Sequence, residues 1–157
     1  THATTQFAIQ MLKRLEEKDL LKNKTVIDVG AGSGILSVVA ERFGAKSALA
    51  IDNDPECWRE CEKMFKINRA KKCTVNTKQS GAITQKYDVV IANIIDGVLI
   101  EIKNHLHRMT KDGGYIILSG ILTDGAPAFE KSFLKGFGGK VVLRLSDTEW
   151  TSLLISK

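Results

Sequence analysis

Short apolar runs alternate along the chain with amphipathic stretches of about ten to seventeen residues, the pattern of βα units packed on a mostly parallel sheet. The apolar runs predict strands at residues 25–29, 47–51, 73–77, 87–92, 115–119, 140–145 and 150–155. An opening helix is expected over 4–21, where Ala8, Met11, Leu12 and Leu15 fall on one face. Further helices are expected at 34–43, 55–70, 97–109 and 124–135. Asp54 before Pro55 reads as an N-cap followed by a proline in the first turn, and Asp96 before Gly97 reads as a second N-cap. Only residues 146–149 separate the last two strands, too few for a crossover, so they should form an antiparallel hairpin at the sheet edge. The expected fold is α/β: a seven-stranded, Rossmann-like sheet, mostly parallel, with an antiparallel C-terminal hairpin and helices on both faces.

Composition narrows the class without changing the fold. With 157 residues, 43% hydrophobic and 26% charged, the chain is long enough for one hydrophobic core and reads as a single domain over 1–157. Lys and Arg exceed Asp and Glu by 23 − 18 = 5, a balance that permits an acidic or RNA-containing partner. Cys57, Cys61 and Cys73 have neither disulfide-framework nor metal-ligand spacing, which fits a reducing cytoplasm. No secretory leader or membrane span is expected, and no metal.

Candidate chemistry gathers at strand ends. The segment Val26-Ile27-Asp28-Val29-Gly30-Ala31-Gly32-Ser33-Gly34 runs from a buried strand into a glycine turn and a helix. Glycines let a ligand approach the backbone closely, and the helix N-terminus behind them offers free N–H groups. The dinucleotide fingerprint spaces its glycines GxGxxG, whereas here Ile35 holds the third position, which argues against a nicotinamide cofactor. Twenty residues after Gly32, the strand Ala48-Leu49-Ala50-Ile51 ends at Asp52, a carboxylate placed to accept both hydroxyls of a ribose. Asp28 either orders the glycine turn or meets a ligand ammonium through water. A ligand with a ribose and no pyrophosphate fits these anchors, and S-adenosylmethionine is one. The fourth strand, Tyr87-Asp88-Val89-Val90-Ile91-Ala92, delivers Asn93 to the same edge, where an amide can hold an acceptor amine in line with a methyl sulfonium.

Five segments together resemble the PrmA-type methyltransferases, which methylate protein eleven of the large ribosomal subunit. They are the glycine turn DVGAGSG, the AIDNDP strand end, the VIANII segment, the turn LSGIL and the opening Thr1-His2-Ala3-Thr4-Thr5. The final Glu149-Trp150 strand is also similar, and the resemblance runs through the whole chain. It implies that Thr4 and Thr5, in a segment before the first helix, lie against the methionine end of S-adenosylmethionine. It further implies that Gly30 and Gly32 line the cofactor, Asp52 holds the ribose, and Asn93 faces the methyl group and the incoming amine. His2 matches the family's histidine and reads as loop structure.

The family's Asn-Ile-Leu is Asn93-Ile94-Ile95 here, and its N-terminal substrate-recognition domain is absent from these residues. No Asn-Pro-Pro-aromatic segment follows the fourth strand, which favours an aliphatic amine, a lysine side chain or an N-terminus, over a planar nitrogen. The expected function is therefore methyl transfer from S-adenosylmethionine to a protein amine, on a ribosomal or translation-related protein. A small-molecule or RNA methyltransferase, or a noncatalytic cofactor- or RNA-binding module, is the alternative on the same fold. Arg59, Lys63, Lys66, Arg69, Lys71 and Lys72 suit rRNA contact or a solvated basic face. Opposite them, Cys57, Cys61, Phe65 and Asn68 read as core, Phe129, Phe133 and Phe137 as a buried stripe, and His105 and His107 as surface histidines.

Overall fold

The computed structural model describes residues 2–157, with the side chain of His2 outside the described set along with Thr1. The elements, in chain order, are α1 (His2–Glu17), β1 (Thr25–Val29), α2 (Ile35–Arg42), β2 (Ser47–Ile51), α3 (Pro55–Ile67), β3 (Cys73–Asn76), β4 (Tyr87–Asn93), α4 (Asp96–Glu101), α5 (Lys103–Met109), β5 (Thr110–Leu122), α6 (Ala126–Leu134), β6 (Lys140–Ser146) and β7 (Trp150–Ser156). The seven strands form one sheet in the order β3-β2-β1-β4-β5-β7-β6. Neighbours from β3 to β5 are parallel, while β7 runs antiparallel to both β5 and β6. The mostly parallel sheet closed by a C-terminal hairpin is thus the one the apolar pattern implies.

The strands sort their side chains by alternation. Val26, Val89 and Ile91 face one cluster with Met11, Leu12, Leu36 and Phe65, from α1, α2 and α3. Ile27, Val90 and Ala92 face the other, with Leu99, Leu106 and Phe133 from α4, α5 and α6. Ala8, Met11, Leu12 and Leu15 form the buried face of α1, as their helical spacing requires. Phe129, Phe133 and Phe137 are all buried, although α6 ends at Leu134 and Phe137 lies beyond it.

Asp54 caps α3, its carboxylate accepting the Glu56 N–H at 2.9 Å. Asp96 does not cap α4: Ile95 occupies the cap, and the Asp96 carboxylate accepts the Leu122 N–H from the end of β5 at 3.3 Å. The helix expected over 97–109 is two helices that meet at Ile102. The first helix begins at His2, so Thr4 and Thr5 lie in its first turns rather than in a segment ahead of it. Cys61 and Phe65 are buried on α3, whereas Cys57 and Asn68 are half-exposed.

One contact fixes how β4 leaves the sheet. Gly120 is the extra residue of a β5 bulge against β7, its backbone has φ +101°, and a Cβ there would lie 2.4 Å from the Ile94 carbonyl oxygen. Only glycine allows β5 to pass this close to the chain following Asn93. Among the described residues, no helix is long and apolar enough to cross a membrane.

Candidate functional site

The sheet order reverses at β1, whose neighbours β2 and β4 leave in opposite directions, and a crevice opens at the carboxyl ends of these strands. The glycine turn is tied to the β2 tip: Gly30 N–H and Ala31 N–H both donate to the Ile51 carbonyl, at 2.9 and 3.1 Å. Gly30 has φ +67°, a conformation that disfavours any side chain, and its bare backbone lies against the tip of the Ile94 side chain at the β4 exit.

Asp52 stands at the next strand tip, half-exposed. Its Oδ2 accepts the Gly32 N–H at 3.1 Å and its Oδ1 accepts the Asp54 N–H at 3.0 Å. These two bonds fix the carboxylate's plane, and each oxygen keeps acceptor capacity for a ligand hydroxyl. A cavity of about 370 Å³ opens from Asp52 and Gly30. Its floor is apolar, from Val29, Ile51, Ile94, Val98 and Ile102. Its far wall is polar, with Lys78, Ser80, Glu101 and His105. A bare glycine turn, a carboxylate and an apolar slot joined in one cavity fit the ribose and base of S-adenosylmethionine.

Asp28 is buried between β1 and α2, 1% exposed, and its Oδ2 accepts a hydrogen bond from Ser37 Oγ at 3.0 Å. Burial pushes its carboxyl up to about 7, against the opposing Ser37 hydrogen bonds. It is not among the residues of the Asp52 cavity, and its contact with Ser37 ties the first turns of α2 to β1 beneath the glycine loop. Asn93 ends β4 half-buried, and its Nδ2 donates to Thr5 Oγ1 at 3.2 Å. Thr4 is buried on the same turn of α1, and its carbonyl accepts Ser119 Oγ from β5 at 2.7 Å. The first turn of α1 is thereby anchored over the tips of β4 and β5.

The thiols are poor nucleophiles. Burial, with nearby acidic groups adding to it, raises Cys57 to about 11 and Cys61 and Cys73 to about 12. Among the described residues no group of His, Cys, Asp and Glu has metal-binding geometry.

The histidines depart from the surface reading. His107 is half-buried, stacked on Phe137 with ring centroids 4.1 Å apart and edge-on to Phe133, and desolvation lowers it to about 4. His105 is half-buried too, and its Nδ1 shares a 2.8 Å hydrogen bond with Ser80 Oγ in the wall of the Asp52 cavity. Ser80 and His105 are 25 positions apart, and no spacing rule links them in sequence.

Fold and site together define a Rossmann-like methyltransferase domain. The model of the ribosomal protein L11 methyltransferase (PrmA) family matches residues 1–157, and the chain belongs to that family. Ribosomal protein L11 methyltransferase of Bacillus velezensis is 34% identical over 160 residues, which cover 100% of this chain and 50% of that protein. The chain spans about half the length of the curated relatives it matches. The crystal structure of ribosomal protein L11 methylase from Lactobacillus delbrueckii subsp. bulgaricus superposes with a TM-score of 0.91 at 30% identity, over 100% of this chain and 80% of that one. Magnesium protoporphyrin IX methyltransferase (ChlM) from Synechocystis, solved with bound SAM, shares the fold with a TM-score of 0.82 at 18% identity, covering 97% of this chain and 78% of that chain.

Proposed function

We propose that residues 1–157 form one catalytic domain of a cytoplasmic enzyme that transfers a methyl group from S-adenosylmethionine to a protein amine. The acceptor is a lysine side chain or N-terminus on ribosomal protein L11, the substrate named for the relatives. The observation that carries this reading is Asp52, oriented by the Gly32 and Asp54 N–H groups at the mouth of an apolar cavity beside a bare glycine turn.

In this reading Asp52 accepts the ribose hydroxyls, while Gly30 and Gly32 let the ligand lie against their backbone. Asp28 holds α2 in place beneath the turn through Ser37. S-adenosylmethionine, when bound, supplies an electrophilic methyl carbon on a sulfonium. Asn93 holds the nucleophile: its Nδ2 is engaged by Thr5, so its Oδ1 is the atom left to accept an N–H of the acceptor amine. Accepting that hydrogen turns the nitrogen lone pair toward the methyl site, and positioning rather than strong base catalysis supplies the rate. Thr5 fixes the sense of the amide, and Thr4 secures the helix turn that carries Thr5.

The test is calorimetric titration of the chain with S-adenosylhomocysteine and, separately, NAD, followed by incubation with labelled methyl donor and purified L11. Micromolar binding of S-adenosylhomocysteine alone, with label appearing on L11, is the expected result. Binding of NAD in its place overturns the reading. Label on RNA but not on L11 replaces the protein acceptor with the alternative.

A further inference from the structure

Charge in this chain is sorted between the two ends of the sheet. The connections that enter β1, β2, β3 and β6, residues 18–24, 43–46, 68–72 and 135–139, hold eight lysines and arginines and one acidic residue, Asp19. The exits from β1 to β6, residues 30–34, 52–54, 77–79, 94–95, 123–125 and 147–149, hold five acidic residues and one lysine, Lys78. The candidate site thus opens on an acidic edge, and the opposite, amino edge is cationic.

A lysine stands at the amino-edge end of every strand. Lys24, Lys46, Lys72 and Lys86 directly precede β1, β2, β3 and β4. Lys111 is the second residue of β5, Lys140 the first of β6, and Lys157 directly follows β7, which runs the other way. With strands about 4.8 Å apart, the row spans roughly 29 Å. Lys86 and Lys157 complement the end of α5, donating to the Arg108 and His107 carbonyls at 3.0 and 2.9 Å. The ammonium groups of Lys24, Lys46 and Lys72 have no ion pair or hydrogen bond among the described residues. They nevertheless share neighbouring strand entries: the Lys46 N–H donates to the Lys24 carbonyl at 2.8 Å, and Ala48, on the same strand, donates to the Lys72 carbonyl at 3.1 Å. Carboxylates on this edge are engaged elsewhere. Glu41 accepts the Lys72 N–H at 2.6 Å, while Asp88 accepts the Thr25 N–H at 2.9 Å and pairs with Lys111 at 3.4 Å.

Like charges side by side cost stability, so the row fits a partner that supplies the opposite charge. A cavity of about 670 Å³ opens on the same edge, and Ser47, Thr74, Gln85, Lys86 and Lys111 line it. Hydroxyls, amides and ammonium groups are the side chains that contact phosphate. A protein or membrane surface would require an apolar centre, and no exposed large apolar side chain falls in these entry connections among the described residues. The helix α3 offers no rival surface, because Arg59, Lys63 and Lys66 are interleaved there with Glu56, Glu60 and Glu62.

We infer that the amino edge of the sheet is a docking surface for the phosphate backbone of a nucleic acid, with Lys24, Lys46 and Lys72 at its centre. The acidic exits repel phosphate, so the bound backbone lies opposite Asp52 and Asn93 and leaves that edge open.

The test is fluorescence anisotropy with a short labelled RNA duplex, and with a DNA duplex of the same sequence, between about 50 and 200 mM salt. The parent should show log affinity falling linearly with log salt, with a slope of roughly −3.6 for four neutralised phosphates. A Lys24→Gln, Lys46→Gln, Lys72→Gln triple variant should lose roughly 2.7 of that slope and bind more than tenfold more weakly at the lowest salt, with S-adenosylhomocysteine binding unchanged. An Arg59→Gln, Lys63→Gln, Lys66→Gln variant should bind like the parent. RNA binding alone assigns RNA as the source of the backbone, and equal binding of both duplexes assigns the phosphates irrespective of the sugar. A parent that binds neither duplex, a triple variant with the parent's slope, or displacement of the duplex by polyglutamate at equal charge overturns the inference.

A measurement without substitution guards against a variant that fails to fold. In the parent chain, the RNA duplex should protect Lys24, Lys46 and Lys72 from acetylation, read by mass spectrometry, and leave Lys63 and Lys66 reactive. The reverse pattern, or no protection, overturns the assignment.

Discussion

The tips of β1 and β2 lie side by side, each carries an aspartate, and the two carboxylates are treated in opposite ways. Asp28 is sealed between the sheet and α2, has a serine hydroxyl as its hydrogen-bond partner, and is pushed up to about 7 by burial. Asp52, one strand over, is half-exposed and held by two backbone N–H groups at the rim of the cavity. The residue type is the same, so the difference lies in what the backbone presents. Backbone N–H groups at an open rim hold a carboxylate in place with its oxygens accessible, while a hydrophobic seal favours the neutral form of a buried acid.

Removing each carboxylate separates these roles. Asp52→Ala should weaken S-adenosylhomocysteine binding by roughly a thousandfold, since two charge-assisted hydrogen bonds of about 2 kcal/mol each are lost. Circular dichroism should show the fold retained, and binding within tenfold of the parent would erase the contrast between the two tips. Asp28→Asn probes the sealed carboxyl through pH. The folded chain keeps a proton that the unfolded chain, titrating near 3.8, releases; this stabilisation is complete below about pH 4 and is lost as pH rises through about 7. Between pH 5 and pH 8 the parent should lose on the order of 3 kcal/mol relative to Asp28→Asn in urea unfolding. Parallel stabilities across that range would mean that burial does not raise the Asp28 carboxyl.

The third strand tip sharpens the comparison with a smaller effect. Asn93→Ala should slow methyl transfer about thirtyfold, within the range of a lost positioning contact, while S-adenosylhomocysteine affinity stays within about twofold. An equal loss in both would move Asn93 from the acceptor side to the cofactor side. The smallest effect is expected two residues beyond Asp52. Asp54→Ala removes the α3 cap and should cost about 1 kcal/mol, lowering the thermal midpoint by a few degrees. If it also weakens S-adenosylhomocysteine more than a few-fold, the α3 cap helps hold the loop whose backbone N–H orients Asp52.

The strands flanking the site are legible because their apolar runs end in residues that can do nothing else. Thr25–Val29 and Ser47–Ile51 are bounded by the glycine turn and by Asp52, and pattern and structure agree on both. β5 is longer than its apolar run because Thr110 pairs with Tyr87 and the polar stretch after it stays in the strand. The break at Ile102 left no mark, since both short helices keep one apolar stripe toward the sheet, through Leu99, Leu106 and Met109. Asp28 illustrates the limit of reading a site from a motif. Its place before the glycines is plain in the sequence, but the choice between ligand contact and internal strut depends on which face the strand turns toward α2. Ser80 and His105 carry no such signal, because the fold alone brings a loop before β4 against a helix after it.

Gly120 gives the sheet a mechanical consequence. With the Ile94 carbonyl 2.4 Å from where a Cβ would stand, a methyl group at this position would act as a wedge driven between β5 and the chain leaving β4. The displaced peptide is Ile94–Ile95, one residue beyond Asn93, and Asn93 is bonded in turn to Thr5 on α1. One added carbon, pressing on the residue that also lines the cavity floor, would therefore swing the amide at the strand tip and loosen the helix lying over it. The hydrogen atom of Gly120 is the clearance on which the aim of that amide depends.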